Sequence, residues 1–167
     1  MKPVKQKEQD YCFIACLTST LLDSVHMQLI DALGYNLHQD NEYSHDLQEL
    51  IMNTFPDILQ KDGIRPGIIE KFEDVKKIFM ELGISSNVNW KYCVYDKPEN
   101  IEMALAFLKN PEEIPERIFI HVNSGGHVVR LNEVNEFGVR IMEPGYGDFV
   151  NWTWCDLRAS YYAITAF

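Results

Sequence analysis

Cys12 is the residue of this chain best placed for nucleophilic chemistry. It opens a helical stretch within Gln6 to Leu22, QKEQDYCFIACLTSTLL. A thiol at a helix start meets the positive end of the helix dipole and backbone N–H groups without intrahelical partners, a setting that favours the thiolate. Acyl transfer by a thiolate also needs a base, a group that holds the base, and donors for the oxyanion. The chain offers a candidate for each. His127 follows Ser124-Gly125-Gly126 at the start of an extended segment, where small residues let a peptide backbone come close. Glu143 closes the hairpin that His127 begins, so the two can be neighbours on adjacent antiparallel strands. Gln6, six residues before Cys12, is far enough away to loop back and point an amide N–H at the nucleophile. His121 is a second candidate base, although its position in an alternating strand suits a hydrogen-bonded structural histidine.

The elements that must carry these residues are read from periodicity. Asp10 is the expected N-cap of the first helix, with Ile14, Leu17 and Leu21 on one buried face and an end near Leu22 to Ser24. Met27 to Leu33 reads as a helix closed by Gly34, and Asn36 to Ser44 as a loop. Ser44 or His45 starts another helix that ends before Pro56. Lys61 to Gly67 is turn chemistry. Ile68 to Leu82 is the clearest amphipathic helix, with Ile69, Phe72, Val75, Phe79 and Leu82 on one stripe and Gly83 as its cap. Ser85 to Tyr95 alternates like a strand. Pro98 fits a helix N1 position, and that helix ends near Asn110-Pro111. Strands then follow over Arg117 to Asn123, His127 to Leu131 and Val139 to Glu143. An aromatic segment with Trp152 and Trp154 comes next, then a closing strand from Tyr161 to Phe167. Helices first and antiparallel strands last predict an α+β fold, N-terminal helices packed on a C-terminal sheet, in one domain over 1–167.

Composition bounds the function. The 167 residues can bury a core without disulfides or metal. A formal net charge of -10 leaves no basic excess to displace counterions, which argues against nucleic acid or an anionic membrane as the main partner. Met1 reads as a natural start. The basic MKPVKQKEQ is not followed by an apolar run, so no signal peptide is expected, and no stretch is long enough for a membrane span. Cys12, Cys16, Cys93 and Cys155 are therefore expected as reduced thiols in a cytoplasmic compartment, with export by a signal-independent route as the other option. Cys16 reads as a core thiol, because a disulfide to Cys12 would need geometry an unbroken helix rarely gives. Cys12, Cys16, His26, His38 and His45 fit no closed zinc pattern, so neither metal nor cofactor is expected. Trp90, Trp152 and Trp154 read as core or cleft-wall aromatics.

Three segments together resemble a papain-like cysteine peptidase of the bacteriocin-leader-processing, double-glycine family. They are Gln6 through Asp10-Tyr11-Cys12 to Ala15 and Leu17, the strand Gly126-His127-Val128-Val129-Arg130-Leu131, and Glu143-Pro144-Gly145-Tyr146-Gly147. The order Cys, His, acid is that of the family. Its Asp before the nucleophile is Tyr11 here, its following Gly is Phe13, and its orienting Asp is Glu143. The resemblance covers both ends of the chain; from about 25 to 115 only helical character is shared. It implies a papain-like fold and a thiol hydrolase acting on a peptide or protein amide bond. Cys12 would be nucleophile, His127 base, Glu143 the orienting acid, and Gln6 with the Cys12 N–H the oxyanion donors. The other readings are a toxin or effector domain of the same fold (a protease, deamidase or acyltransferase) and a non-catalytic peptide-binding module.

Overall fold

A computed structural model describes residues 3–23, 41–59, 72–110, 112, 114 and 117–167. The helix expected over Met27 to Leu33, the turn at Lys61 to Gly67, Ile69, Pro111, His26 and His38 lie outside them. The described helices are α1 (Cys12–Leu22), α2 (Asn41–Thr54), α3 (Pro56–Leu59), α4 (Phe72–Glu81), α5 (Asn100–Lys109) and α6 (Trp154–Ser160). The strands are β1 (Asn89–Lys91), β2 (Ile118–Val122), β3 (His127–Val134), β4 (Gly138–Glu143), β5 (Asp148–Thr153) and β6 (Tyr161–Ala166). They form one sheet in the order β1-β6-β2-β3-β4-β5, every pair antiparallel. The fold is thus α+β, as expected, with a six-stranded antiparallel sheet.

Period-two alternation in the strands fills both faces of this sheet. Phe119, Val128 and Met142 join the core built on α1 and α4, while Ile118, Ile120, Val129, Ile141 and Ile164 join the core beneath α5 and α6. Helices therefore cover both sides, not one. On the first side Phe13, Phe79, Phe119 and Phe167 form a ring cluster with centroids 4.6 to 6.2 Å apart, mostly tilted or edge-on. Phe13 brings α1 into this cluster. Ten of the helix's eleven residues are buried, so Ile14 and Leu17 belong to a helix enclosed nearly all round.

Several boundaries differ from the expected ones for identifiable reasons. Tyr11, not Asp10, is the N-cap of α1, and no side chain caps it. Helix α2 starts at Asn41 because its polar first turn carries no apolar period. Helix α4 does end at a Schellman turn: Gly83 has φ +67°, its N–H reaches Met80 O at 3.0 Å, and the Ile84 N–H reaches Phe79 O at 2.9 Å. The strand expected over Ser85 to Tyr95 shrinks to Asn89–Lys91, because Tyr92 turns to φ +52° and breaks it. Glu99 is the N-cap of α5, which puts Pro98 just before the helix. The aromatic segment with Trp152 and Trp154 divides into the end of β5 and helix α6. A capping box starts the helix: Thr153 Oγ1 accepts from the Asp156 N–H at 3.1 Å, and the Thr153 N–H donates to Asp156 Oδ2 at 2.9 Å. Among the described residues no helix is long and apolar enough to cross a membrane.

Candidate functional site

Cys12 is the first residue of α1, so its N–H has no intrahelical acceptor. Phe13, Ile14 and Leu17 bury the helix behind it. Two polar ties fix α1 against β3. The Cys16 Sγ lies 3.7 Å from Val128 O. Arg130 Nη1 donates to Ser19 Oγ at 2.7 Å and pairs with Asp23 Oδ2 at 2.8 Å. Arg130 is itself buried, and alternation puts it on the same face as Val128, towards α1. These contacts hold the helix that carries Cys12 against the strand that carries His127.

His127 opens β3 and Glu143 ends β4. The Arg130–Met142 pair sets the register, which leaves the two residues diagonal across neighbouring strands. His127 Nε2 and Glu143 Oε1 are 2.7 Å apart. Cys12, at the start of α1, is close enough to the imidazole to influence its titration. With Nε2 taken by Glu143, Nδ1 is the nitrogen left for the thiol. Burial by itself pushes the His127 pKa down. Hydrogen bonds to Cys12 and Glu143, and their charges, overcome that and raise it from 6.5 to about 9.

Glu143 is held in turn. Its Oε1 also accepts the Gly145 N–H at 3.0 Å, and its carbonyl accepts from Gly147 N–H at 2.9 Å. The Glu-Pro-Gly-Tyr-Gly turn thus aims the carboxylate at the imidazole. The longer Glu in place of Asp reaches His127 directly from the strand end.

Gln6 reaches this turn as well. Its N–H donates to Pro144 O at 2.8 Å, one residue from Glu143. Its side-chain Nε2 donates to Gln9 O at 2.7 Å, while Oε1 is buried and has no hydrogen-bond partner. The segment around it is clamped from the other side by Gln48 of α2. Gln48 Oε1 accepts from Lys7 N–H and Nε2 donates to Lys5 O, both at 2.9 Å. The first residues therefore run between α2 and the Glu143–Gly147 turn.

The other candidates fall elsewhere. His121 is fully buried, 2.8 Å from Thr165 Oγ1 through Nε2 and edge-on to Trp90 at 4.8 Å. Burial lowers its pKa to about 3, so it is a neutral core residue. Trp152 pairs with Val139, and the Trp154 Nε1–H donates to Glu136 O at 3.0 Å. Both lie at the end of β4 and β5 away from Glu143, so neither stands beside His127 and Glu143. A surface hollow of about 400 Å³ beside Trp154, and one of about 240 Å³ beside Trp152 and Phe137, open at that same remote end. All four cysteines are free; Cys12, Cys16 and Cys93 are buried and Cys155 is exposed. Burial keeps the Cys16 thiol well above its ordinary pKa. Among the described residues no group of three or more His, Cys, Asp or Glu could hold a metal ion.

The sequence pointed to Cys12, His127 and Glu143; the structure puts His127 and Glu143 in hydrogen-bond contact, and Cys12 close enough to influence the titration of the imidazole. Gln48 and Arg130 were missed. Each had a signal: a polar residue set between the apolar positions Leu47 and Ile51, and a charge on the inward parity of a buried strand. No protein-family model, curated protein or solved structure matches the chain.

Proposed function

We propose that the protein is a cysteine-peptidase-like thiol hydrolase with a papain-like arrangement, acting on a peptide or protein amide bond. The observation that carries this reading is the 2.7 Å contact of His127 Nε2 with Glu143 Oε1, with Cys12 at the start of α1 close enough to the imidazole to influence its titration. His127 takes the Cys12 proton, or stands as an imidazolium beside the thiolate. Cys12 Sγ attacks the carbonyl carbon. The Cys12 N–H, unspent at the helix start, and the Gln6 amide face the oxyanion. Protonated His127 then gives its proton to the leaving amine, and water attacks the thioester to release the acid. Glu143 keeps the imidazole oriented and offsets its charge throughout. Four free thiols suit a reducing, cytoplasm-like compartment.

Iodoacetamide labelling at neutral pH, read by peptide mass spectrometry beside Cys12→Ala and His127→Ala, tests the nucleophile. Cys12 should react faster than exposed Cys155, and His127→Ala should slow it. Labelling of Cys12 no faster than of Cys155 would overturn the reading. Peptide mixtures incubated with the protein then separate hydrolysis from binding: new termini that disappear in Cys12→Ala support cleavage, and retained but uncut peptides favour a binding module.

A further inference from the structure

We propose that Gln48 is a positioning residue for Gln6, clamping the N-terminal segment so that the Gln6 amide faces the carbonyl oxygen under attack. The claim rests on the thiol-hydrolase reading and adds to it a residue outside the Cys-His-acid row.

Gln48 is fully buried in the middle of α2. A buried amide is costly unless both its ends are satisfied. Here both ends are spent on one short piece of chain, at the residues on either side of Gln6: Lys7 N–H into Oε1 and Lys5 O from Nε2, each at 2.9 Å. Gln6 uses its own N–H on Pro144 O at 2.8 Å, and its side-chain Nε2 donates one of its two N–H bonds to Gln9 O at 2.7 Å, which leaves the second for an oxyanion. Three successive residues are therefore tied through their main chain, alternately to α2 and to the turn after Glu143. The segment has no helix or strand of its own to fix it. Its fit against the turn is tight. A Cβ added at Gly147, where φ is +69°, would come within 2.5 Å of Lys5 Cβ. Packing alone would be served by an apolar residue at position 48, between buried Ile51 and Met52 and the partly buried Leu47. A glutamine that brackets Gln6 suits the placing of that one side chain.

The test uses two small probes that differ in whether an oxyanion forms. With iodoacetamide, Cys12 Sγ forms a bond to carbon, iodide leaves, and no carbonyl oxygen becomes charged. With p-nitrophenyl acetate, Sγ adds to the ester carbonyl, the oxygen becomes anionic, and p-nitrophenolate departs to leave a thioester. Gln6→Ala should slow acylation by roughly 100-fold, the usual size for one oxyanion donor. Gln48→Leu should slow acylation by at least about tenfold, through misplacement of that donor. Its alkylation rate should match the parent's. In a Gln6→Ala background Gln48→Leu should add no further loss, because both changes act through one amide. Gln48→Glu keeps the acceptor for Lys7 N–H and loses the donor, and should show a smaller loss of the same selective kind. It carries the test if the Leu variant does not fold by near-UV circular dichroism.

Wild-type Cys12 that reacts with neither probe faster than Cys155 overturns the hydrolase reading, and this proposal with it. A reactive Cys12, slowed by Gln6→Ala but not by either Gln48 variant, overturns the Gln48 claim alone. So does a Gln48 variant that slows both probes equally, or one that costs as much without Gln6 as with it.

Discussion

Replacing Glu143 by Gln removes a negative charge from the imidazole of His127 while leaving an oxygen that can accept its N–H. The size of the effect follows from the titration of His127, raised from 6.5 to about 9 by Cys12 and Glu143 against the pull of burial. At ~1.4 kcal/mol per unit, the whole displacement is worth roughly 3 kcal/mol. The His127 side chain is 23% exposed, and Cys12 supplies part of the effect, so Glu143 accounts for about 1–2 kcal/mol after screening. The sign is set by the raised value. Protonated His127 is favoured by the folded state, so the contribution is full below pH ~6.5, fades as pH rises, and is gone above about 9. Urea unfolding of the wild type and Glu143→Gln at pH 6 and pH 9.5 reads this directly. The stability gap between the two proteins should be about 1–2 kcal/mol wider at pH 6. An NMR titration of the His127 ring in the variant should show its midpoint falling from about 9. A stability gap of equal size at both pH values would refute the ion pair as its source.

Three further outcomes follow from packing. Phe13→Ala, which empties a fully buried site in contact with Phe79 and Phe119, should cost ~3–5 kcal/mol by urea unfolding. Arg130→Ala should cost roughly 3 kcal/mol or more, because it breaks a buried pair at the Asp23 carboxylate; Asp23→Asn with Arg130→Met should recover part of it. Gly147→Ala combines φ +69° with a 2.5 Å approach to Lys5, and should destabilise by ~1–3 kcal/mol while speeding amide exchange at Gln6.

How much of this was legible in the sequence depends on the distance over which each residue acts. Cys12 at a helix start, Gly83 as a cap and the His127 hairpin are local signals, and all are found where periodicity and turn chemistry place them. The three-residue row of Cys12, His127 and Glu143 was reachable because two of its members sit on one hairpin. Helix α6 was announced by Thr153 and Asp156, but the stretch reads only as an aromatic segment. Tyr92 broke the expected strand through a backbone conformation that its side-chain type does not advertise. The remaining misses are long-range. Gln48 acts on residues 41 and 43 positions away, and Arg130 on Ser19 across 111. Composition gives such residues no partner; only the folded chain does. The second helical layer on the far side of the sheet was hidden for the same reason, since α5 and α6 show apolar faces without saying which surface they cover.

The run of the first residues against the β4–β5 turn has a consequence for how the chain comes into being. The Val4 N–H meets Met142 Sδ at 3.3 Å across 138 positions, and Gln6 closes on Pro144 over the same span. Contacts of such high sequence separation form late and slow folding. On a ribosome the thiol of Cys12 emerges early, while the imidazole and carboxylate that would partner it are still unmade. His127 and Glu143 can meet only once β4 has been made, and the opening segment can dock at Pro144 only after that. A nascent chain of this protein therefore presents Cys12 before His127 and Glu143 have been made.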